Sequence, residues 1–235
     1  MITIITHLWG SAYSYKHVNA LYRMLQEHLT IDHVLVCVTD KPQNIECETY
    51  EINEPTPLWA DNAIPEFPVT VKRRPNNWRK LWTLSSEFQE QMGSDIIASI
   101  DLDVLIRNNV DHLFALDSGV DFKIVKGSID KTRTRQLCPY NSSLWINRKG
   151  TRDYLFTDFI PTQSPRELPR EWTGSDQAWI AFRSPNEVLF DDSDGVRQYW
   201  SGHRVGNMLF FAGTVKPLMD RCDPNIRKEY LKYYE

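Results

Sequence analysis

Hydrophobic positions along this chain follow two different periods. Residues 2–6 and 33–38 are short, β-branched or apolar runs that predict strands. Between them Val18, Leu21, Tyr22, Leu25 and Leu29 recur at helical spacing, so residues 16–28 form an amphipathic helix. Strand, helix and strand with short connections imply parallel pairing through a right-handed crossover. Residues 49–52 suit a short third strand. Residues 53–75 contain five prolines and predict loop or edge structure. Asn76 or Asn77 then caps a helix running through Trp78, Leu81, Trp82, Ser85 and Phe88, which Gly93 stops.

The next stretch organises the rest. Residues 96–100 are apolar or small, the pattern of a strand buried on both faces of a parallel sheet. Asp101 and Asp103 follow, where such a strand leaves the sheet and where open α/β sheets bind ligands. In an extended chain both carboxylates point one way and Leu102 turns into the core. Carboxylates held side by side repel unless a cation or proton lies between them. The pattern therefore suits a divalent metal carrying a phosphate-bearing ligand. A solvated polar turn is the plain alternative, because Asp-x-Asp is common by chance.

Further on, residues 104–106 continue extended and residues 109–116 read as one capped helical turn. Strands are expected at 121–125, 143–147, 188–190 and 208–211, and helices at 151–160, 175–182 and 223–233. Residues 127–139, with Lys131, Arg133 and Arg135, read as a mobile loop, and residues 161–171, with three prolines, as an irregular one.

Composition narrows the class. With 235 residues and 41% hydrophobic content, the chain suits one large α/β domain over 1–235. The order of its elements, strand–helix–strand, helix, the Asp-x-Asp strand and then mixed elements, suggests a nucleotide-binding front half (1–106) and a ligand-completing back half (107–235). A net charge of −4 without a basic block argues against nucleic acid as a partner. Cys37, Cys47, Cys138 and Cys222 form no Cys-x-x-Cys pair, so reduced thiols and a cytoplasmic location are expected. No apolar run reaches the roughly 18 residues a membrane span needs. Residues 191–195 (Asp-Asp-Ser-Asp-Gly) lack the acid at 190 and the glutamate at 201 of a calcium loop.

Several motifs together resemble the GT-A glycosyltransferases, closest to the glycogenin-like group. Ser99 to Ile106 resembles that group's strand ending in a metal-binding Asp-x-Asp. The stretch from Asn108 to Leu116 is similar to the N-I-D-E-L-F segment that follows it. Tyr140-Asn141-Ser142-Ser143 resembles the F-N-S-G strand lining the sugar pocket, and Gly174-Ser175-Asp176-Gln177 the D-Q motif near the reacting sugar. Phe210 to Pro217 resembles the late H-x-x-G-x-x-K-P motif, and Trp78 to Leu81 the basic helix before the metal strand. The order of these motifs covers most of the chain. One departure stands out. Phe210 occupies the place of the family's third metal ligand, a histidine, and Ala212 precedes Gly213. His203 is the candidate replacement.

The resemblance implies a Rossmann-like nucleotide-diphospho-sugar transferase fold, α/β with a mixed, mainly parallel sheet flanked by helices. It implies a nucleotide-diphospho-sugar donor, uridine diphosphate first, and Mn²⁺ or Mg²⁺ on Asp101, Asp103 and His203. Lys80 and Lys216 would meet phosphate, with a solvated helix face the alternative for Lys80. Tyr13 would stack on the base, and Asn141 and Ser142 would meet sugar hydroxyls, with an Asx turn as the alternative. Asp176 and Gln177 would be the catalytic pair. Asp176 would be a general base if the reaction inverts, or would fix the donor sugar if it retains. Trp59 and Trp172 could cradle an acceptor whose identity is open. A module of the same fold that binds without transfer is the rival reading.

Overall fold

The computed structural model describes residues 1–52, 75–127, 129–130, 135–136, 138–172, 176–199, 205–211 and 222–235. In chain order they form β1 (Ile2–Leu8), α1 (Tyr15–His28), β2 (His33–Thr39), β3 (Glu48–Glu51), a 3-10 helix (Pro75–Leu84), α2 (Ser86–Gln91), β4 (Ile96–Ile100) and β5 (Val104–Ile106). A 3-10 turn (Asp111–Leu113) leads to β6 (Phe122–Lys126), β7 (Ile129–Asp130), β8 (Arg135–Gln136) and β9 (Tyr140–Arg148). Then come α3 (Tyr154–Thr157), α4 (Ser164–Glu167), α5 (Asp176–Arg183), β10 (Val188–Phe190), β11 (Val196–Tyr199), β12 (Met208–Phe211) and α6 (Pro224–Tyr234).

Seven strands make the main sheet, in the order β10-β6-β9-β4-β1-β2-β3. All neighbours are parallel except those of β9, which runs antiparallel to both β4 and β6. The expected mixed, mainly parallel α/β sheet is therefore present. β4 lies at its centre, and its apolar composition has the predicted cause. Ala98 and Ile100 face one hydrophobic cluster with α1, while Ile97 faces the other with Trp78, Trp145 and Trp179. A second, three-stranded sheet orders β11-β12-β5, and β11 has no counterpart among the expected strands.

Two local readings change. The single helix expected from residue 76 onward is a 3-10 helix followed by α2. Trp78, Leu81 and Leu84, all fully buried, recur every three residues, the repeat of a 3-10 helix, so this geometry buries one row. Ser85 then caps α2 by accepting from the Phe88 N–H at 3.2 Å. The loop expected at 127–139 contains the short antiparallel pair β7–β8, and β9 begins three residues earlier than expected, which puts Asn141 and Ser142 in a strand.

The entry to β9 is tight. Gly127 donates its N–H to the Pro139 carbonyl at 2.7 Å. A Cβ at Gly127 would lie 1.9 Å from the Cys138 carbonyl oxygen, so only glycine passes. Gly127→Ala is expected to lower the unfolding free energy by about 1–3 kcal/mol through overpacking. A urea midpoint equal to the parent's would show that this corner yields freely.

Candidate active site

The carboxyl ends of β1 and β4, with the start of β5, carry the polar cluster. Asp101 is the first residue past β4, and its N–H donates to the Ser143 carbonyl of β9 at 2.9 Å. Asp103 precedes β5, and its carbonyl accepts from the Phe211 N–H of β12 at 2.9 Å. Leu102 between them is buried in the core, as expected. The chain bends here instead of running extended, so the two carboxylates meet different partners.

Asp101 pairs with Lys80, which projects from the 3-10 helix; its ammonium donates to Asp101 Oδ1. The solvated-face alternative for Lys80 is thus overturned, since its side chain is only 11% exposed. Burial works against the ammonium, but the attraction of Asp101, then Asp176, and finally Asp103 outweighs it and pushes Lys80 up to about 12. Asp103 accepts from the Tyr13 hydroxyl at 2.8 Å. Tyr13, expected to stack on the base, belongs to the loop between β1 and α1.

Asp176 opens α5 and is buried. Burial pushes its carboxyl above the usual range, and Lys80 together with a hydrogen bond from Ser142 pulls back. Its Oδ2 has no hydrogen-bond partner among the described residues. Lys80 therefore sits among three carboxylates, two from the β4–β5 connection and one from α5. Ser142 is buried beside Asp176, whereas Asn141 is half-buried and its Oδ1 accepts from the Ser143 N–H at 2.9 Å, the Asx-turn bond. Gln177 is half-buried next to Asp176, and its carbonyl accepts from the Cys138 thiol at 3.6 Å.

One neighbour of the cluster went unnoticed in the sequence. That neighbour is His7, two residues past Ile5, which pairs with Ser99 of β4 in parallel register. Both of its ring nitrogens are buried without a partner among the described residues. Burial first, and then the Lys80 charge, hold His7 well below its usual value, so it is neutral at neutral pH. Its ring lies 5.0 Å from Trp9, over which the Arg79 guanidinium sits at 5.4 Å. Period-two alternation along β1 was the signal that could have found it.

Other expectations fall elsewhere. Phe210 is buried in β12, paired with Val104, so its side chain serves the core. Trp172 packs partly against the core. His203, Lys216 and Trp59 lie outside the described residues. Among the described residues no group of three or more His, Cys, Asp or Glu side chains could hold a metal, and no helix is long and apolar enough to cross a membrane.

Neither protein-family models nor curated proteins match this sequence. Solved structures do. LgtC, a galactosyltransferase determined with donor and acceptor sugar analogues, is similar with a TM-score of 0.63 at 11% identity, covering 99% of this chain and 95% of its own. The bifunctional glycosyltransferase WbbM gives 0.63 at 11% identity, covering 99% of this chain and 49% of its own. The glycosyltransferase GlyE of Streptococcus pneumoniae gives 0.60 at 9% identity over 99% of this chain. This chain spans 59% of the length of GlyE. At such identities the likeness speaks for architecture alone, and that architecture is the GT-A glycosyltransferase fold.

Proposed function

We propose that the protein transfers a glycosyl group from a nucleotide-diphospho-sugar, with uridine diphosphate as the nucleotide, to a hydroxyl-bearing acceptor. The observation that carries this reading is the cluster of Lys80, Asp101, Asp103 and Asp176 at the carboxyl edge of the sheet in this fold. The solved glycosyltransferases of like architecture support it.

A charge count supports a divalent cation at this edge. Three carboxylates around one ammonium leave an excess of acidic groups, which by itself disfavours a diphosphate. Asp101 and Asp103 offer hard oxygens, and Asp101 is 25% exposed while paired with Lys80. Two carboxylates suit Mg²⁺ or Mn²⁺, which take the rest of their oxygens from phosphate and water. Asp101 and Asp103 would hold the ion, with His203 as a further candidate. When bound, the cation supplies Lewis-acid neutralisation of the diphosphate leaving group.

The chain's own groups do the rest. Lys80 is aimed at the charge that grows on the leaving oxygens, in a site where a fixed ammonium acts strongly. Lys216 would add a second phosphate contact. Asp176 would meet the sugar through its unpartnered Oδ2, with Ser142 fixing the other side of the carboxylate and Asn141 and Gln177 flanking it. A single specific observation favours a second reading, a donor-binding module without transfer: Phe210 is committed to the core where a third ligand is expected.

Asp101→Asn and Asp103→Asn are each expected to lower Mn²⁺-dependent release of uridine diphosphate from a panel of donors by about 100-fold or more, with circular dichroism unchanged. Full turnover in both variants would sink the site assignment. Binding of every donor without turnover by the parent chain, with acceptors supplied, would favour the module.

Asp176 links the site to stability. Its folded value is raised, so its stabilising share is complete below the unfolded value of 3.8 and is lost as pH rises through the folded value. Asp176→Asn keeps a neutral hydrogen-bonding group and escapes that loss. It is expected to unfold at a higher urea midpoint than the parent at pH 8, with the gap closing toward pH 4, while transfer falls. A variant weaker than the parent at pH 8 would shift the weight to the Lys80–Asp176 attraction.

A further inference from the structure

A line of aromatic rings runs from α6 to Asp103. Tyr13, whose hydroxyl meets Asp103, presents its ring edge-on to His17, at 5.1 Å and 78°. His17 in turn meets Tyr234 of α6 at 5.0 Å and 75°. Tyr230, one helical turn back, lies 5.9 Å from Tyr234 and is buried. Burial pushes the Tyr230 phenol up, and the neighbouring Tyr234 and the Asp103 charge add to this.

His17 and Tyr234 are also held by groups outside the line. The His17 Nδ1 accepts from the Ser14 N–H at 3.1 Å, which sets the imidazole plane and joins it to the residue after Tyr13. The Lys16 ammonium sits 5.5 Å from the centre of the Tyr234 ring. Helix α6 itself is anchored at both ends. Asp223 caps it, accepting from the Asn225 N–H at 2.9 Å, and the Asp223 N–H donates to the Tyr199 hydroxyl of β11 at 3.2 Å. Along α1, Arg23 donates to the Tyr233 carbonyl at 2.9 Å and Lys232 pairs with Glu27 at 3.0 Å.

Aliphatic packing would serve a plain helix–helix contact. Edge-to-face rings are directional and carry only two side-chain torsions each, so they transmit position. We propose that α6 is a positioning element of the donor site: through Tyr234 and His17 it holds the β1–α1 turn that presents Tyr13 to Asp103. The part concerning the donor rests on the function proposed above. Tyr234 is a positioning residue here, since it acts on the turn through His17.

Amide hydrogen exchange of the full chain without ligand tests the structural half. Tyr234→Leu is expected to speed exchange at residues 9–14 about tenfold relative to amides of β1 and β4. Tyr234→Phe, which keeps the ring, is expected to restore the parent rates. Unchanged exchange in Tyr234→Leu, a rise spread evenly over the chain, or a Phe variant as loose as the Leu variant would each overturn the proposal. Titration with uridine diphosphate in Mn²⁺ tests the other half. Tyr234→Leu is expected to bind about tenfold more weakly, following the loosened turn, and Tyr234→Phe like the parent. A loosened turn with unchanged affinity would overturn the link to the donor. A parent chain that binds no nucleotide would sink the proposed function, and the exchange result alone would then decide the role of α6.

Discussion

One buried ammonium among three carboxylates sets the terms for this molecule. Lys80 is held by Asp101 and attracted by Asp176 and Asp103. Breaking a buried pair by removing one partner typically costs about 3–5 kcal/mol, because the other charge stays behind. The elements around it are arranged to meet that demand. The 3-10 helix buries Trp78, Leu81 and Leu84 in one row and leaves Lys80 on the next. The end of β4 supplies Asp101, and the first turn of α5 brings Asp176 across, steadied by Ser142 on the antiparallel strand β9.

The same cluster is not optimised for stability. Asp176 is buried with one oxygen unpartnered among the described residues, and His7 is kept neutral beside a positive charge with two unpartnered nitrogens. Groups in this state cost about 1–3 kcal/mol each when nothing answers them. Such costs collect where a ligand is meant to complete the hydrogen bonding. The aromatic support from α6 works in the other sense. It spends ordinary packing on fixing a loop whose tip carries Tyr13.

Local signals in the sequence carried much of the fold. β1, α1, β2 and β4 were legible because their residues record burial directly: β-branched runs, a 3.6-residue stripe, an apolar run of five. The 3-10 helix was misread because Trp82 and Phe88 also fit an α-helical stripe, and the choice between the two was made by packing against the sheet. β11 and the early start of β9 depend on pairing with β12 and β6, and no local pattern announces them. In the site, Asp101, Lys80 and Asp176 were legible as candidates, and only the family resemblance implied that they share one site. Tyr13 and Asp103 are 90 residues apart, and nothing in their spacing foretells the bond at 2.8 Å. The extended run expected from Asp101 to Asp103 is broken by the bend at Leu102 and Asp103, and the two carboxylates hydrogen-bond to different partners.

That bend gives the two aspartates different mechanical homes. Asp101 is fastened to the seven-stranded sheet through β4 and Ser143, and Asp103 to the three-stranded sheet through β5 and Phe211. The gap between the carboxylates is therefore the opening of a calliper whose arms are the two sheets, with Leu102 as its pin. The cation proposed for this gap would pull on both arms at once. Any shift of β11 or β12 against the larger sheet widens or narrows the same gap, although neither strand carries a carboxylate into it.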